Sequence, residues 1–149
     1  MDGKKDNITL EAPNVFIKVI HSSGVVEEDT IHNGVVQAGG AEVVKMMSGI
    51  GTTSVFNKMQ IGSGTTAFSS TQTGLVSEIE STTASLSIGT TNYSGDTMIS
   101  VGTFAISTTE SVTESGVFNS SSVMLARSVF AAKSLSKGDT IQFTWRVRV

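Results

Sequence analysis

The sequence predicts a mainly β fold, a single antiparallel β-sandwich that carries one helix. The last ten residues, 140–149, alternate apolar and polar side chains, which predicts a strand whose buried face carries Ile141, Phe143, Trp145, Val147 and Val149. Charged residues make up only 15% of the chain, and this disfavours long surface helices. From Gly51 onward, short apolar runs alternate with Gly- and Ser-rich turns, as in jelly-roll or immunoglobulin-like sandwiches.

An extended N-terminal arm is predicted over residues 1–14, followed by the β-sandwich domain over residues 15–149. Pro13 is the sole proline, and it fixes its own φ and pushes Ala12 towards an extended backbone. The apolar run 15–20 then forms the first strand. The arm is expected either to pack on a neighbouring molecule or to fray, because its residues favour neither outcome.

One helix is predicted over residues 35–47. Apolar residues recur there at helical spacing, with Asn33 available as the N-cap and Gly49 as the stop. Within the helix, Gly39 and Gly40 each cost about 1 kcal/mol relative to alanine. We therefore expect either that the helix begins after Gly40 or that a sheet approaches it closely at these glycines.

Five further strands are predicted beyond the helix. They cover residues 55–61, 83–88, 98–106, 123–130 and 140–149. In the third of these strands the alternation changes phase around Gly102, and a β-bulge there would restore a single buried face. In the last strand Trp145 is expected in the core, whereas Arg146 and Arg148 are expected to face water.

Composition and charge argue against several kinds of partner and compartment. A net charge of -3 lacks the basic surface that binds nucleic acid. No apolar run is long enough to span a membrane, and no apolar signal-peptide region follows residues 1–7, so synthesis in a cytoplasm is predicted. The absence of cysteine excludes thiolate chemistry, zinc ribbons and disulfides.

No catalytic, cofactor-binding or metal-binding residue is predicted. A Ser-His-Asp hydrolase would need His21 or His32, and neither accompanies a Gly-x-Ser-x-Gly nucleophile elbow. The acids 27–29 lack the alternating ligand spacing of a calcium loop and are interpreted as a solvated turn. Residues 62–64 lack the lysine of a phosphate-binding loop and are interpreted as a tight turn.

A small basic strip is predicted from Arg127, Arg146 and Arg148 on the outward face of the last two strands. Such a strip is either solvated surface or a contact with another subunit. A contact is favoured because methionines, Met98 and Met124 among them, supply adaptable apolar surface.

Three segments share the order and character of a known family. They are residues 56–67 with 73–79, which contain a Gly-Ser-Gly-Thr-Thr turn; residues 110–119, which contain Glu-Ser-Gly-Val-Phe; and residues 123–130, which contain Leu-Ala-Arg-Ser-Val-Phe. Together these segments resemble small structural proteins of tailed bacteriophage particles, including domains at the bases of tail-collar fibres. The resemblance spans residues 33–149.

The resemblance implies structural roles for four residues. Gly116 would permit a turn, Phe118 would fill the core, and Arg127 would pair with Glu114 or Glu110. The chain carries no repetitive shaft or receptor-binding tip, which favours a compact accessory subunit over a host-binding fibre.

The sequence therefore predicts a non-enzymatic bacteriophage virion protein without a cofactor. It would dock on the particle as capsid decoration or cement, or at the neck or tail. Its partners would be other virion proteins. It would also form a homo-oligomer with further copies of itself, with a trimer as one candidate stoichiometry. The alternatives are a carbohydrate-binding or adhesin module, with Tyr93 as the best exposed aromatic, and an esterase that depends on His21 or His32.

Overall fold

Two antiparallel five-stranded sheets and one helix form a β-sandwich in the computed structural model, which describes residues 9–32, 34–51 and 54–149. The predicted fold class is confirmed. In chain order the elements are β1 (Glu11–Ile20), β2 (Val26–Ile31), β3 (Gly34–Val35), α1 (Gln37–Ser48), β4 (Lys58–Gly62), β5 (Glu78–Thr83), β6 (Ser85–Gly89), β7 (Thr97–Ala105), β8 (Glu110–Phe118), β9 (Met124–Leu135) and β10 (Thr140–Arg148).

Sheet A has the strand order β2-β1-β10-β7-β6, so the predicted last strand lies at its centre. The buried row predicted from the alternation is confirmed by four side chains that are at most 4% exposed, those of Ile141, Phe143, Trp145 and Val147. Trp145 Nε1 also donates a hydrogen bond to Ser115 Oγ of the other sheet at 3.3 Å. Val149 lies beyond the end of β10 and is 45% exposed, so its expected place in the buried row is wrong.

Sheet B has the order β3-β9-β8-β4-β5, and its central strand β8 covers residues assigned to a turn by the sequence. Gly116 pairs with Gln60 on one side and Arg127 on the other, so the predicted turn at Gly116 is wrong. A Cβ at this position would lie 2.8 Å from the Phe118 ring and 3.0 Å from Leu75, so glycine makes room for packed side chains. Phe118 is 3% exposed, as predicted for a core residue.

Strand β7 runs without the bulge predicted at Gly102. Its register with β10 is continuous along the whole strand. A Cβ at Gly102 would lie 2.5 Å from Sδ of Met59 in the facing sheet, so a side chain is absent where the two sheets approach closely. The change of phase in the sequence therefore reflects close packing at Gly102, while Ile99 and Val101 lie half-buried on the outer face.

Strand β1 begins at Glu11, inside the predicted arm, and residues 1–8 lie outside the described residues. Pro13 lies where the register of β1 with β10 shifts, between Glu11 and Asn14, and such an irregularity tolerates a residue without an N–H. The acids 27–29 pair with β1 as part of the edge strand β2, so their assignment to a turn is wrong. An edge strand keeps its side chains near water, which is why acidic residues are compatible with it.

Helix α1 begins at Gln37, close to its predicted start, and ends at Ser48. Val36 takes the N-cap position without a side-chain hydrogen bond, and Asn33, the predicted N-cap, lies outside the described residues. Gly49 has a φ of 65°, which confirms its role as the stop. Within the described ranges, no helix has the length and apolar character needed to cross a membrane.

The two glycines of α1 have different surroundings. A Cβ at Gly39 would lie 2.5 Å from Cα of Leu125 in β9, whereas no atom outside the local helix backbone lies within 4 Å of a Cβ at Gly40. The close approach of β9 to the helix therefore explains the glycine at position 39. Of the two alternatives that the sequence left open, this confirms the close approach of a sheet to the helix.

We expect opposite effects from alanine at these adjacent positions. Gly40→Ala should raise the free energy of unfolding by about 0.5–1 kcal/mol, because alanine loses less conformational entropy in a helix and its methyl group meets no obstacle. Gly39→Ala should lower it by roughly 1–3 kcal/mol, because the methyl group collides with the Leu125 backbone. Urea unfolding measures both values, and effects of the same sign would contradict the packing of α1 on β9.

Candidate functional site

A buried ion pair lies on the face of sheet B that points away from sheet A. Glu114 in β8 and Arg127 in β9 have side chains that are 0% exposed. Ser115 binds Trp145 of sheet A, so Glu114, its neighbour in the strand, points the other way. Arg127 Nε donates to Glu114 Oε2 at 2.9 Å, and Nη2 lies 2.8 Å from the same oxygen. The pairing predicted for Arg127 is thus confirmed with Glu114 and not with Glu110.

Glu114 holds the loop between β4 and β5, residues 63–77, which we call the 63–77 loop. Its carboxylate accepts hydrogen bonds from the N–H groups of Gly64 at 3.0 Å, Val76 at 3.1 Å and Ser77 at 2.8 Å. These donors lie near the two ends of the loop, so one buried carboxylate draws both ends onto sheet B.

Arg127 holds the middle of the same loop. Its Nη1 donates to the carbonyl oxygen of Thr66 at 3.0 Å and to Oε1 of Gln72 at 3.1 Å. A Cβ at Gly64 would lie 2.6 Å from Oε1 of Glu114, so the glycine lets the backbone reach the carboxylate. The sequence assigns the Gly-Ser-Gly segment 62–64 to a tight turn, but Gly62 ends β4 and residues 63–64 begin the longer, anchored 63–77 loop.

The hydrogen bonds to Glu114 decide its protonation state. Burial raises the pKa of Glu114, but the donors on Ser77, Val76, Arg127 and Gly64 outweigh burial and hold the pKa below its ordinary value of 4.5. The carboxylate therefore contributes stability above about pH 4.5, and this contribution is lost as the pH falls through the lowered pKa of the folded state.

The basic strip predicted from Arg127, Arg146 and Arg148 does not form. Arg127 is buried in sheet B, whereas the other two residues belong to β10 of sheet A. Arg148 Nε donates to Oε2 of Glu11 at 3.2 Å across the β1–β10 pair, and Arg146 is exposed. The prediction is wrong because β9 and β10 are consecutive in the chain but lie in different sheets.

Both histidines make hydrogen bonds at strand ends. Nε2 of His21 lies 2.7 Å from Oε2 of Glu27, and Nδ1 lies 3.0 Å from Oδ2 of Asp139. These hydrogen bonds, first to Glu27 and then to Asp139, raise the pKa of His21 above its ordinary value of 6.5. His32 Nδ1 lies 2.9 Å from the carbonyl oxygen of Pro13. An imidazole placed between two carboxylates favours the charged form, which is unsuited to a general base.

An apolar groove opens at one end of the sandwich, between α1 and the inner faces of β6, β7 and β10. Its volume is about 440 Å³. We call it the apolar groove, and its apolar lining residues are Leu10, Val43, Met46, Met47, Phe56, Ile88, Met98, Leu125, Val147 and Val149. Several of these side chains also belong to the core, so the groove is a continuation of the core to the surface.

The groove exists because sheet B does not cover the outermost strand of sheet A. Strand β5, at the edge of sheet B, packs over β7, and β6 extends beyond it. Leu86 and Ile88 of β6 point to the same face as Trp145 and Val147, yet they are 39% and 78% exposed. Side chains on the core face of the sheet are therefore in contact with solvent here.

Apolar side chains at the end of α1 add to this surface. Met47 is 80% exposed and Ile50 is 73% exposed. Large exposed apolar patches are typical of surfaces that bind a partner. Of the two methionines assigned to surface by the sequence, Met98 lines the groove, but Met124 is fully buried and its assignment is wrong. The exposed apolar residues in the last turn of α1 are the signal that sequence reasoning missed.

A second concave surface, beside the groove, carries the exposed ring of Tyr93. The loop that bears it is held by Asp96, whose carboxylate accepts hydrogen bonds from the N–H groups of Thr91, Asn92 and Tyr93 at 2.7–3.2 Å. Burial raises the pKa of Asp96, but these hydrogen bonds outweigh it and lower the pKa to about 2. The charged Asp96 thus fixes the loop that presents the ring.

Comparisons with known proteins identify no relative of this chain. No protein-family model, curated protein or solved structure matches the chain. In the described parts of the chain, no group of three His, Asp or Glu side chains is arranged to hold a metal ion. The resemblance to bacteriophage structural proteins stays a prediction.

Arg127→Met should lower the free energy of unfolding by about 3–5 kcal/mol, because the Glu114 carboxylate would stay buried without its cation. The matched control is Arg148→Met, which removes a partly exposed ion pair with Glu11 and should cost less than about 1 kcal/mol. Urea unfolding at neutral pH compares the two variants. Equal losses would contradict the assignment of Arg127 as the anchor of the 63–77 loop.

Proposed function

We propose that this protein is a non-enzymatic structural subunit of a bacteriophage particle, located in the virion as capsid decoration or at the neck or tail. The sequence segments that resemble phage structural proteins support the class of protein. The apolar groove supports the mode of action, which is docking on other protein chains. The buried ion pair of Glu114 and Arg127 supports a structural role, because it holds the 63–77 loop in place.

The observation that carries this proposal is the solvent exposure of large apolar side chains that line the groove. Ile88 on β6 and Met47 on α1 are the most exposed large apolar residues of the described chain, and both line the apolar groove. Burying such surface stabilises a contact by about 25 cal/mol per Å². A particle repeats each contact many times, so individually modest interfaces give firm attachment.

The proposal is tested by mixing the purified protein with candidate capsid, neck and tail proteins of the phage. A complex should form with one of them, and Met47→Glu should weaken it about tenfold or more because the groove would receive a charge. The matched control is Val44→Glu. Val44 lies on the same helix and is 62% exposed, but it does not line the groove, so this variant should change the affinity little. Analytical ultracentrifugation measures the mass of the complex. The absence of a complex with every candidate would contradict the proposal.

A carbohydrate-binding module is the second candidate, and the surface around Tyr93 is the observation that favours it. The concavity has a volume of about 630 Å³ and brings the ring, which is 57% exposed, together with Asn92, Glu11 and Arg148. An aromatic face with polar groups around it is the chemistry that sugar rings require.

A glycan array decides between the two candidates. If the module binds carbohydrate, wild type should give a signal that Tyr93→Ala loses, because the stacking face is gone. Tyr93→Phe keeps the ring and should keep most of the signal. Wild-type protein that binds no glycan would remove this candidate.

A further inference from the structure

Strand β6 is an edge strand of sheet A that carries no charged residue. Four strands lie at sheet edges in the part of the chain that the structure describes, namely β2, β6, β3 and β5. Strand β2 carries the acids 27–29, β5 carries Glu78 and Glu80, and β3 is two residues long. Charge and short length both hinder pairing with another strand. By contrast, residues 81–95, which surround β6, contain neither a charged residue nor a proline.

We propose that β6 pairs antiparallel with β6 of a second copy of this chain, so that the two A sheets become one continuous sheet. An edge strand presents unpaired N–H and C=O groups, and a second strand satisfies them. This inference deepens the proposed function and rests on it in one respect, that the chain works as an assembled subunit.

The sequence of β6 is complementary to itself in this arrangement. With a two-fold axis through Ser87, each Ser87 lies opposite its symmetry mate, each Leu86 lies opposite Ile88 of the second copy, and each Ser85 lies opposite Gly89. Small residues then meet small residues and apolar residues meet apolar residues, at the roughly 5 Å separation at which cross-strand pairs interact. A two-fold contact of this kind uses the same surface of both copies and therefore forms a closed dimer.

Charge selects this edge for contact between identical chains. Each copy has a formal net charge of -3, so surfaces that carry acids repel their own kind. Pairing through β2 or β5 would bring Glu27 or Glu80 towards the same residues of another copy. The uncharged residues 81–95 avoid this repulsion, which favours a second copy over a basic partner at β6.

Pairing also covers the exposed core-facing side chains. Leu86 and Ile88 lie on the part of sheet A that sheet B leaves uncovered, and the second copy brings an identical overhang. The four side chains then form one apolar cluster between the two sandwiches. Because Ile88 also lines the apolar groove, the grooves of the two copies become continuous with this cluster.

The mass of the protein in solution tests the proposal. Sedimentation at increasing concentration should give a dimer, and Ile88→Lys should weaken its formation about tenfold or more by placing charges in the apolar cluster. The matched control is Val26→Lys on the other edge of sheet A, which is 49% exposed and should leave the dimer unchanged. Circular dichroism shows that each variant keeps its β-sheet signal. A monomer, a trimer, or equal loss of association in both variants would overturn the proposal.

Cross-linking tests the register directly. The chain has no cysteine, so Ser87→Cys would introduce one thiol, placed opposite its own symmetry mate within the Cα separation of a disulfide. Ser85→Cys is the control, because its two copies would lie about 14 Å apart along the strands. Mild oxidation with diamide should join Ser87→Cys into covalent dimers and leave Ser85→Cys mostly monomeric. Equal cross-linking of the two variants, or none in either, would contradict the two-fold axis at Ser87.

These outcomes separate the two proposals. If the protein is monomeric but binds a particle protein through the groove, β6 pairing is wrong and the proposed function stands. If the dimer forms as described but no particle protein binds it, the structural-subunit function is wrong and β6 pairing stands.

Discussion

Coverage of the inner face of sheet A by sheet B is the constraint on which the rest of the molecule depends. Where the two sheets oppose each other, Trp145, Phe143 and Ile17 are excluded from water and form a single core. Where β5 stops over β7, the same face of sheet A continues into solvent at β6. The apolar groove and the exposed core-facing side chains of β6 therefore lie in one region that sheet B leaves uncovered, and we assign assembly to that region.

The buried pair of Glu114 and Arg127 serves the opposite side of the molecule. It fixes the 63–77 loop over the outer face of sheet B, and that face is thereby closed to solvent around β8. A buried ion pair contributes less net stability than its short distances imply, since both charges lose hydration. Its value here lies in the backbone groups that it satisfies, which apolar side chains of the same size would leave without partners.

Strand β10, which has one buried face, was predictable from the sequence, whereas strand β8, which is buried on both faces, was not. In β10 the side chains alternate between core and water, so the pattern predicted the row that contains Trp145. In β8 nearly every residue is buried, including Thr113 and Glu114, so no alternation marks it as a strand. The burial of Glu114 depends on Gly64, which lies 50 residues away in the chain, and on Arg127 in the next strand. The link to Arg127 followed from the resemblance to phage proteins, whereas the loop contacts need the three-dimensional structure. The groove was missed for a related reason, since its lining comes from seven separate segments of the chain.

Hydrogen exchange of the β6 amides is the most direct test of the central claim, that the uncovered part of sheet A is an assembly surface. We expect exchange in residues 85–89 to slow as the protein concentration rises, because pairing gives the edge N–H groups partners, while exchange in β2 at residues 26–31 stays constant. Exchange that is independent of concentration in residues 85–89, or that slows equally in β2, would contradict the account.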